Sequence, residues 1–459
     1  MRRLLLALVC ALGVSSCALG PDYERPEIDV PEDFREAGDA GPSLANIEWW
    51  NIFQDQQLNT LINIALEESR DLALATARLE EARARLGFVR ANQFPRLDIN
   101  ASANRGNSAE QFLPGSGIQE NYVVSADLFF EVDLFGKLRR STEAARAELL
   151  ANEEARKTVY IALIADVAST YFLLRDLDAR REITERTLAT RRDSTNIIRQ
   201  RFERGTTPML DVNQAEIQEA EAAADLAAFE RQVIQTENLL SVVVGRNPGP
   251  VTRGDELVHQ VRPPGIPGGL PSELLERRPD VRTAEQSLAA QTARIGVAQA
   301  LRFPSLGLTG SAGLASNDLS DLNDSDASIW NVGVNIFAPL FNAGQNKRNV
   351  EIEIARTEQL LQQYEFTVLQ AFREVEDALV AIRTLRDESA AREMQTRAAR
   401  NAAFLSMARY NGGVTSFLEV LDTERSLFQA EIAASAVRRA RLVAIVDLYK
   451  ALGGGWTPE

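Results

Sequence analysis

The chain has 459 residues, of which 45% are hydrophobic and 25% charged, a composition typical of folded proteins. Its 50 basic and 65 acidic residues give a formal net charge of −15, which repels phosphate backbones and argues against nucleic acid as a partner. With one histidine, His259, and two cysteines, Cys10 and Cys17, the chain has too few ligands for a Cys/His metal cage and too few groups for a Cys/His nucleophile pair, so we expect no metal site.

The N-terminus is typical of a secretory signal peptide. Arg2 and Arg3 precede an apolar run, residues 4–14, that is too short to span a bilayer, and no later segment is apolar enough to do so. The run ends in Val-Ser-Ser-Cys, which resembles a bacterial lipobox. We therefore predict removal of residues 1–16 and a covalent lipid on Cys17, with no other cofactor. A plain signal sequence with an incidental cysteine is the alternative.

Landmarks recur along the chain at an offset near 208 residues. Phe94-Pro95 matches Phe303-Pro304, and the segment from Arg201 to Glu216 matches that from Arg409 to Glu424. Ordered matches of this kind indicate an internal duplication. The predicted divisions are a lipidated N-terminal segment (17–56), a first repeat (57–245), a proline-rich linker (246–271), a second repeat (272–453) and a tail (454–459).

Each repeat has the same predicted plan: a helix, two strands around a polar loop, a very long helix, a short break and a further helix. In the first repeat these elements are a helix at 57–92, strands at 95–105 and 121–133, and helices at 138–204 and 209–245. In the second they are a helix at 272–302, strands at 304–315 and 328–338, and helices at 344–411 and 416–452. Proline ends the first helix of each repeat because it cannot continue a helix.

The four strands alternate apolar and polar residues, so each presents one apolar and one polar face. Ile99, Val124, Leu308 and Val334 lie on the apolar faces. About ten residues suffice for a tilted strand to cross a bilayer, although a soluble hairpin with one buried face shows the same alternation. Four strands cannot close a barrel in lipid. Two copies would give eight strands and a filled interior, whereas three would give twelve and a wet lumen.

The long helices predict an elongated body. Each runs for nearly 70 residues without proline, which at 1.5 Å per residue is about 100 Å. The two shorter helices of each repeat, laid end to end, match that length. This pattern predicts a tube of paired helices, and a generic coiled-coil rod is the alternative, one that leaves the alternating strands unexplained.

Several motifs resemble the outer membrane efflux protein family, the TolC-like ducts, and within it the lipoprotein branch that serves resistance-nodulation-division pumps. They are the Gly-Pro-Asp-Tyr-Glu-Arg-Pro run at 20–26, Trp49-Trp50, the Arg-Arg-Pro-Asp-Val run at 277–281, and the segment from Tyr410 to Asp422. The resemblance implies a mixed, mainly α fold: a homotrimer whose twelve-stranded transmembrane β-barrel, four strands per chain, lies in outer membrane lipid and continues as a periplasmic α-helical barrel. It also implies gated export, with a periplasmic adaptor (membrane fusion) protein and an inner-membrane pump as partners.

By the same resemblance, the two helix breaks form the lower end of the duct, where the adaptor binds. Glycine at each break, followed by Thr, Pro or Ser, is also what helix capping requires. The predicted adaptor-contact residues are Arg204, Gly205, Thr206, Gly412, Gly413, Thr415 and Ser416.

The resemblance also assigns a gate just beyond the second break. It implies that Leu418 and Asp422, which share a helical face at i and i+4, constrict the mouth, that Glu419 adds charge, and that Tyr410 helps to hold the gate shut. Solvated helix charges are the alternative interpretation.

Two features set this gate apart. The first repeat has Gln214 where the second has Asp422, so we expect closure from the second repeat alone. Thr415 replaces a basic residue that locks the gate in some relatives, which puts that lock in doubt.

Other functions compete with the duct. A structural coiled-coil envelope lipoprotein would not conduct, and a duct for type I protein secretion is a further alternative. Paired carboxylates such as Glu153-Glu154 or Glu374-Glu376 could in principle serve a glycosidase, but on long helices they are interpreted as surface charge. We therefore predict that the chain is not an enzyme.

Overall fold

The computed structural model describes residues 18–31, 33–35, 48–107, 118–260 and 271–454. The predicted signal peptide, Cys17 and nearly all of the tail lie outside the described residues. The chain divides into two units: a first unit of Met1–Ile28, Ala77–Glu153 and Thr283–Phe366, and a second unit of Asp29–Thr76, Glu154–Arg282 and Thr367–Glu459. Each unit takes segments from both predicted repeats, because strands of both repeats pair in one sheet and helices of both share one core.

The first half of the described chain contains four helices and two strands. After a short 3-10 helix at Trp49–Phe53, the elements are α1 (Gln56–Glu68), α2 (Arg70–Ala91), β1 (Arg96–Asn107), β2 (Ile118–Val132), α3 (Lys137–Glu203) and α4 (Met209–Val243). The second half follows the same plan. Its elements are α5 (Pro271–Arg277), α6 (Pro279–Ala300), β3 (Ser305–Ser316), two 3-10 turns (Leu319–Asn323 and Ser325–Ala327), β4 (Ser328–Phe337), α7 (Gln345–Asn411) and α8 (Phe417–Ala451).

The structure differs from the sequence prediction at the first helix of each repeat, which is broken into two. At the first break Ser69 is extended, with ψ 131°. Gly245, at φ +89°, lies so close to this break that a Cβ atom would overlap the carbonyl group of Glu68. Arg246 then donates to both carboxylate oxygens of Glu68, at 3.0 and 2.7 Å. The break therefore receives the end of α4 within the second unit.

The second break repeats this arrangement. Gly453, at φ +70°, lies against the carbonyl oxygen of Arg277 and the Cα atom of Arg278. The buried guanidinium of Arg278 donates to the carbonyl oxygen of Ala451 at 3.0 Å and pairs with Asp280 at 2.6 Å. Both breaks thus accept a glycine in the left-handed region, a conformation that glycine adopts without steric cost.

The four strands form one antiparallel sheet in the first unit, in the order β1-β2-β3-β4. The strand register places one row of residues side by side across the sheet: Ile99, Ala126, Ala312 and Trp330. A second row, two residues further along the strands, consists of Leu97, Leu128, Gly310 and Val332. Between these rows, Asp98, Asp127, Ser311 and Asn331 form a polar row on the other face. All four strands therefore contribute to one apolar and one polar face.

The apolar face of the sheet is not covered by the described residues of the chain. Ile99 is 80% exposed, Trp330 79% and Val334 63%, and Val124 is also exposed. In the described residues β1 and β4 have no partner strand on their outer sides. A soluble hairpin would bury this face, so the exposure argues against that alternative.

The principal core lies in the second unit, around Trp49, Tyr171 and Tyr449. The rings of Trp49 and Tyr449 stack at 5.4 Å, and burial raises the pKa of the Tyr449 hydroxyl to about 12. α3 carries the one stretch in the described chain that is long and apolar enough to cross a membrane, contrary to the sequence expectation of none. Because 50% of that stretch is buried inside the protein, its apolar side chains serve the core.

A buried polar cluster lies within this core. Asp55 is 1% exposed and accepts hydrogen bonds from the N–H groups of Gln57 and Leu58, which caps α1. The Tyr171 hydroxyl donates to the same carboxylate at 2.7 Å and accepts from the Gly254 N–H at 3.0 Å. Burial, and then the Asp55 carboxylate, raise the pKa of Tyr171 well above its ordinary value. The cluster fastens the start of α1 to α3.

In the first unit the segment after Cys17, residues 18–25, is held by helices of both repeats. The buried guanidinium of Arg140, on α3, donates to the carbonyl oxygens of Leu19 and Gly20 at 3.1 and 3.2 Å and pairs with Asp22 at 2.7 Å. Gly20, at φ +99°, lies so close to Gly296 of α6 that a Cβ atom would overlap it. These contacts explain why the segment needs glycine and aspartate where the sequence has them.

Candidate gate at the two helix turns

The turns that follow α3 and α7 have the same geometry. In the first, the N–H of Gly205 donates to the carbonyl oxygen of Phe202 at 2.8 Å, and the N–H of Thr206 donates to that of Arg201 at 3.0 Å. In the second, Gly413 donates to Tyr410 at 3.0 Å, and Val414 to Arg409 at 3.0 Å. Gly205 and Gly413 have φ +71° and +74°, so both helices end in the left-handed glycine cap that the sequence indicates.

The helices that follow begin without a side-chain cap. Pro208 precedes α4 and Ser416 precedes α8, and neither side chain caps an N–H group of its helix. The hydroxyl of Thr415 instead donates to the carboxylate of Glu419. Arg204, Gly205, Thr206, Gly412 and Gly413 are exposed on the turns, and Thr415 is half-buried.

An apolar cluster joins the two turns within the second unit. Its buried members come from α3 and α4 (Ile198, Val212, Ala215) and from α8 (Phe417, Val420, Leu421), and Met407 and Tyr410 pack against them. The rings of Tyr410 and Phe417 lie 5.3 Å apart. The ends of both helix pairs therefore form a single packed structure.

The structure brings Leu418 and Asp422 together, as their helical spacing predicts. Leu418 is 60% exposed, and both residues line a groove of about 190 Å³ whose opposite wall is Gln214 and Ile217 of α4. Asp422 pairs with Arg425 at 2.6 Å on the same helix, and both side chains are largely exposed. One wall of the groove thus carries an apolar side chain and a carboxylate that face away from the protein interior.

Glu419 lies apart from this groove. Its carboxylate accepts the hydrogen bond from Thr415 and lies 3.7 Å from the guanidinium of Arg409. The side chain is therefore directed back toward the second turn. Of the three residues predicted at the constriction, Leu418 and Asp422 share a surface and Glu419 braces the turn.

Tyr410 has a cationic partner that the sequence did not indicate. The guanidinium carbon of Arg201, on α3, lies 4.7 Å from the centre of the Tyr410 ring, and its Nη2 donates to Oδ1 of Asn411 at 3.3 Å. The sequence marks Arg201 only as the repeat equivalent of Arg409. Nothing in that match indicates a contact with the helical hairpin formed by α7 and α8.

A second arginine that sequence reasoning missed lies two to three turns up α3. Arg191 is 4% exposed, donates to the carbonyl oxygen of Gln218 at 2.7 Å and lies 5.6 Å from the centre of the Phe428 ring. Burial lowers its pKa, which the nearby Glu424 partly offsets. Burial likewise raises the pKa of Glu424, and Arg191 opposes that rise. This region therefore ties α3, α4 and α8 through one buried cation.

The described residues contain no group of three or more His, Cys, Asp or Glu side chains placed to hold a metal ion. Two of the four carboxylates considered for catalysis, Glu154 and Glu374, are held in ion pairs. Glu154 is buried, contrary to its interpretation as surface charge, and pairs with Lys157 at 3.0 Å and Arg282 at 3.2 Å. Glu374 pairs with the buried Arg278 at 2.8 Å. These contacts give both carboxylates structural roles.

Comparison with known proteins gives a consistent result. The family model for outer membrane efflux proteins matches the chain twice, over residues 61–246 and 270–454. The chain is 34% identical to the cation efflux system protein CusC of Escherichia coli O157:H7, with 98% of each chain covered, and 35% identical to the outer membrane protein OprJ of Pseudomonas aeruginosa, with 98% of this chain and 95% of that protein covered. The crystal structure of the open state of the MtrE outer membrane channel of Neisseria gonorrhoeae superimposes with a TM-score of 0.85 at 35% identity, covering 96% of this chain and 98% of that one.

Proposed function

The chain belongs to the outer membrane efflux protein family, a family of transport channels, and we propose on that basis that three copies form a gated duct through the outer membrane. In this proposal the twelve pooled strands close a transmembrane barrel, and the long helices continue it into the periplasm. The duct takes small molecules from an inner-membrane resistance-nodulation-division pump, through a periplasmic adaptor, to the cell exterior.

The observation that carries the proposal is the uncovered sheet. Every strand contributes to one apolar face, whose members include Ile99, Trp330 and Val332, and the outer sides of β1 and β4 lack partners in the described chain. In lipid an open edge leaves backbone groups without hydrogen bonds, so the sheet needs neighbouring copies. Three copies give twelve strands, enough for a water-filled lumen lined by the polar row.

We assign the gate to the groove at the ends of the helix pairs. Threefold symmetry turns Leu418 and Asp422 into rings of apolar and acidic side chains, which narrow the mouth and slow the passage of ions. Glu419 supports the second turn through Arg409 and Thr415, and Tyr410 holds that turn to the first helix pair. Opening is a shift of helices that moves the rings apart.

The exposed turns are the proposed docking site of the adaptor. The contributing residues are Arg204, Gly205, Thr206, Gly412, Gly413, Thr415 and Ser416. Their backbone is fixed by the two glycine caps, so the turns offer a rigid surface to a partner hairpin.

The anchor is assigned to Cys17, which lies outside the described residues. The segment that follows it is held to the first unit by Arg140, so a lipid on Cys17 would be tethered close to helices that connect to the sheet. One acyl chain binds membranes weakly, whereas several chains together with a barrel give a stable anchor. Labelling of cells with a radioactive fatty acid tests this assignment. We expect the wild-type protein to be labelled and the Cys17→Ser variant to be unlabelled.

Planar-bilayer conductance of the purified protein tests the duct. We expect low conductance from the wild type and a higher conductance when Asp422→Ala and Glu419→Ala are combined. The double variant removes the Asp422 carboxylate from the constriction and the Glu419 carboxylate that supports the second turn. Identical conductance of the two proteins contradicts the gate assignment. Absence of conductance from both, under every condition tried, contradicts the duct itself.

A further inference from the structure

Arg201 connects the two helix turns, which the apolar cluster described above also joins. Its side chain extends from the last turn of α3 to the last turn of α7, where it lies over the Tyr410 ring at 4.7 Å and donates to Asn411 at 3.3 Å. A guanidinium suits both contacts, because its flat face is attracted to the ring while an edge N–H donates to the amide.

The backbone of Arg201 is bound just as firmly to the first turn. Its carbonyl oxygen accepts the N–H of Thr206 at 3.0 Å and the hydroxyl of Thr206 at 2.9 Å. Thr206 is exposed and belongs to the surface assigned to the adaptor. One residue therefore contacts that surface through its backbone and the gate tyrosine through its side chain.

Within the described residues, the other repeat does not make the corresponding contact. At the 208-residue offset Arg201 corresponds to Arg409, and Tyr410 corresponds to Phe202. Arg409 faces Glu419, and Phe202 is 41% exposed. Within the described residues of this one chain, the link therefore runs from the first turn to the hairpin that carries Leu418 and Asp422.

We propose that Arg201 is a positioning residue that couples the first helix turn to the gate. It holds the second hairpin in place through Tyr410, and a partner that displaces Thr206 moves the Arg201 backbone and weakens this hold. This inference rests on the proposed function of the chain as a gated duct.

Conductance of single trimers in planar bilayers tests the coupling. We expect Arg201→Gln to raise the open probability of a trimer at least about two- to fivefold, the ratio that corresponds to the loss of one partly exposed cation–π contact. Arg201→Lys keeps the positive charge but loses the planar guanidinium, so it should raise the open probability less than Arg201→Gln does. The matched control is Arg199→Gln. Arg199 lies on α3, as Arg201 does, but it forms an exposed pair with Glu216 of α4, so its replacement should leave the open probability unchanged.

A double-mutant cycle separates the contact from general loosening of the turn. In a Tyr410→Phe background, which retains the ring, Arg201→Gln should still raise the open probability. In a Tyr410→Leu background it should raise the open probability much less, because only the hydrogen bond to Asn411 is left to lose. Heat-resistant trimers of each variant, seen on detergent gels, establish that the proteins are assembled.

The outcomes distinguish the coupling from the duct. If Asp422→Ala with Glu419→Ala raises conductance but Arg201→Gln behaves as the wild type, the duct stands and the coupling is wrong. Additive effects of Arg201→Gln and Tyr410→Leu also overturn the coupling. If no variant conducts, the proposed duct fails and the coupling fails with it.

Discussion

Arg25 forms a forked ion pair with Glu285, 260 residues away in the sequence. Its Nε donates to Oε1 at 2.8 Å and its Nη2 to Oε2 at 2.6 Å, and the Glu285 side chain is only 10% exposed. The Tyr23 hydroxyl donates to the same carboxylate at 3.3 Å. Burial, and then the Glu285 charge, raise the pKa of Tyr23 well above its ordinary value. The segment after Cys17 is thus fastened to α6 as well as to α3.

We predict that Arg25→Gln destabilises the protein by about 1–2 kcal/mol, because the mostly buried Glu285 carboxylate loses its forked donor. The temperature at which detergent-solubilised trimers dissociate, read on gels, measures the effect. Arg83→Gln is the control, since it removes an ion pair with Glu80 in which both side chains are more than half exposed. Equal dissociation temperatures for the two variants would contradict a structural role for the Arg25 pair.

The break between α1 and α2 leads to a second prediction. Gly245→Ala should destabilise the protein by at least about 1 kcal/mol, because it combines a left-handed backbone with overlap against Glu68. Gly87→Ala, near the C-terminal end of α2, meets nothing within 4 Å and should be neutral or stabilising by about 0.5–1 kcal/mol. Thermal unfolding followed by circular dichroism compares the two, and a harmless Gly245→Ala would show that the break does not need glycine.

The buried polar cluster around Asp55 leads to a third prediction. Tyr171→Phe should cost about 1–3 kcal/mol, because it leaves the buried Asp55 carboxylate and the Gly254 N–H each short of a partner. Tyr160→Phe, on the same helix, removes a hydroxyl from a half-buried ring and should cost less. The comparison uses the same unfolding measurement. A larger loss for Tyr160→Phe would remove the support for the cluster as a fastening of α1.

Much of the architecture follows from local sequence patterns. The four strands run at Arg96–Asn107, Ile118–Val132, Ser305–Ser316 and Ser328–Phe337, each within a few residues of its predicted bounds, because two-residue alternation is a local signal. The long helices are equally legible, since each lacks proline and ends at a glycine in the left-handed region.

The helix breaks and the partners of the site residues were not predictable in the same way. Ser69 is extended because Gly245 and Arg246 pack against the end of α1, and both are distant in sequence. Arg201 meets Tyr410 only after two hairpins have packed together. Asp55 resembles an ordinary helix cap in the sequence, and its contact with Tyr171 exists only in the folded core. Contacts of this kind produce no periodic pattern in the sequence.

The pKa of Glu424 predicts how stability depends on pH. Its pKa is raised above the ordinary value of 4.5 by burial, so the folded protein binds this proton more tightly than the unfolded chain does. The stabilisation is complete below the ordinary pKa and is lost as pH rises through the raised pKa. At neutral pH the ionised Glu424 therefore costs stability, and Glu424→Gln should raise the melting temperature.

This gain from Glu424→Gln should disappear when the pH falls below about 4, since the wild-type side chain is then protonated as well. Melting curves of both proteins across this pH range provide the measurement. Glu431→Gln is a control on the same helix, because Glu431 is paired with Arg400 at 2.7 Å and should not gain stability when neutralised. A difference between wild type and Glu424→Gln that is constant with pH would contradict the assignment to this carboxyl group.

Two neighbouring residues of β4 test which face of the sheet meets lipid. Val332 is 77% exposed and aligns with Gly310 on the apolar face, whereas Asn331 aligns with Ser311 on the polar face. Val332→Lys should cost about 2–4 kcal/mol in lipid if the strand centre lies near the bilayer midplane, because the ammonium group is moved into hydrocarbon. Asn331→Lys places the same charge in water beside the row that contains Asp98 and Asp127, and should be tolerated.

Refolding of the two variants into vesicles, monitored by resistance to added protease and by heat-resistant trimer formation, measures this difference. In water both positions are exposed on the single chain, so a soluble protein would accept lysine at either with nearly equal stability. The bilayer alone makes the two faces unequal. Equal insertion of Val332→Lys and Asn331→Lys would therefore mean that the apolar face of the sheet does not contact hydrocarbon, and a twelve-stranded barrel could not be built from this sheet.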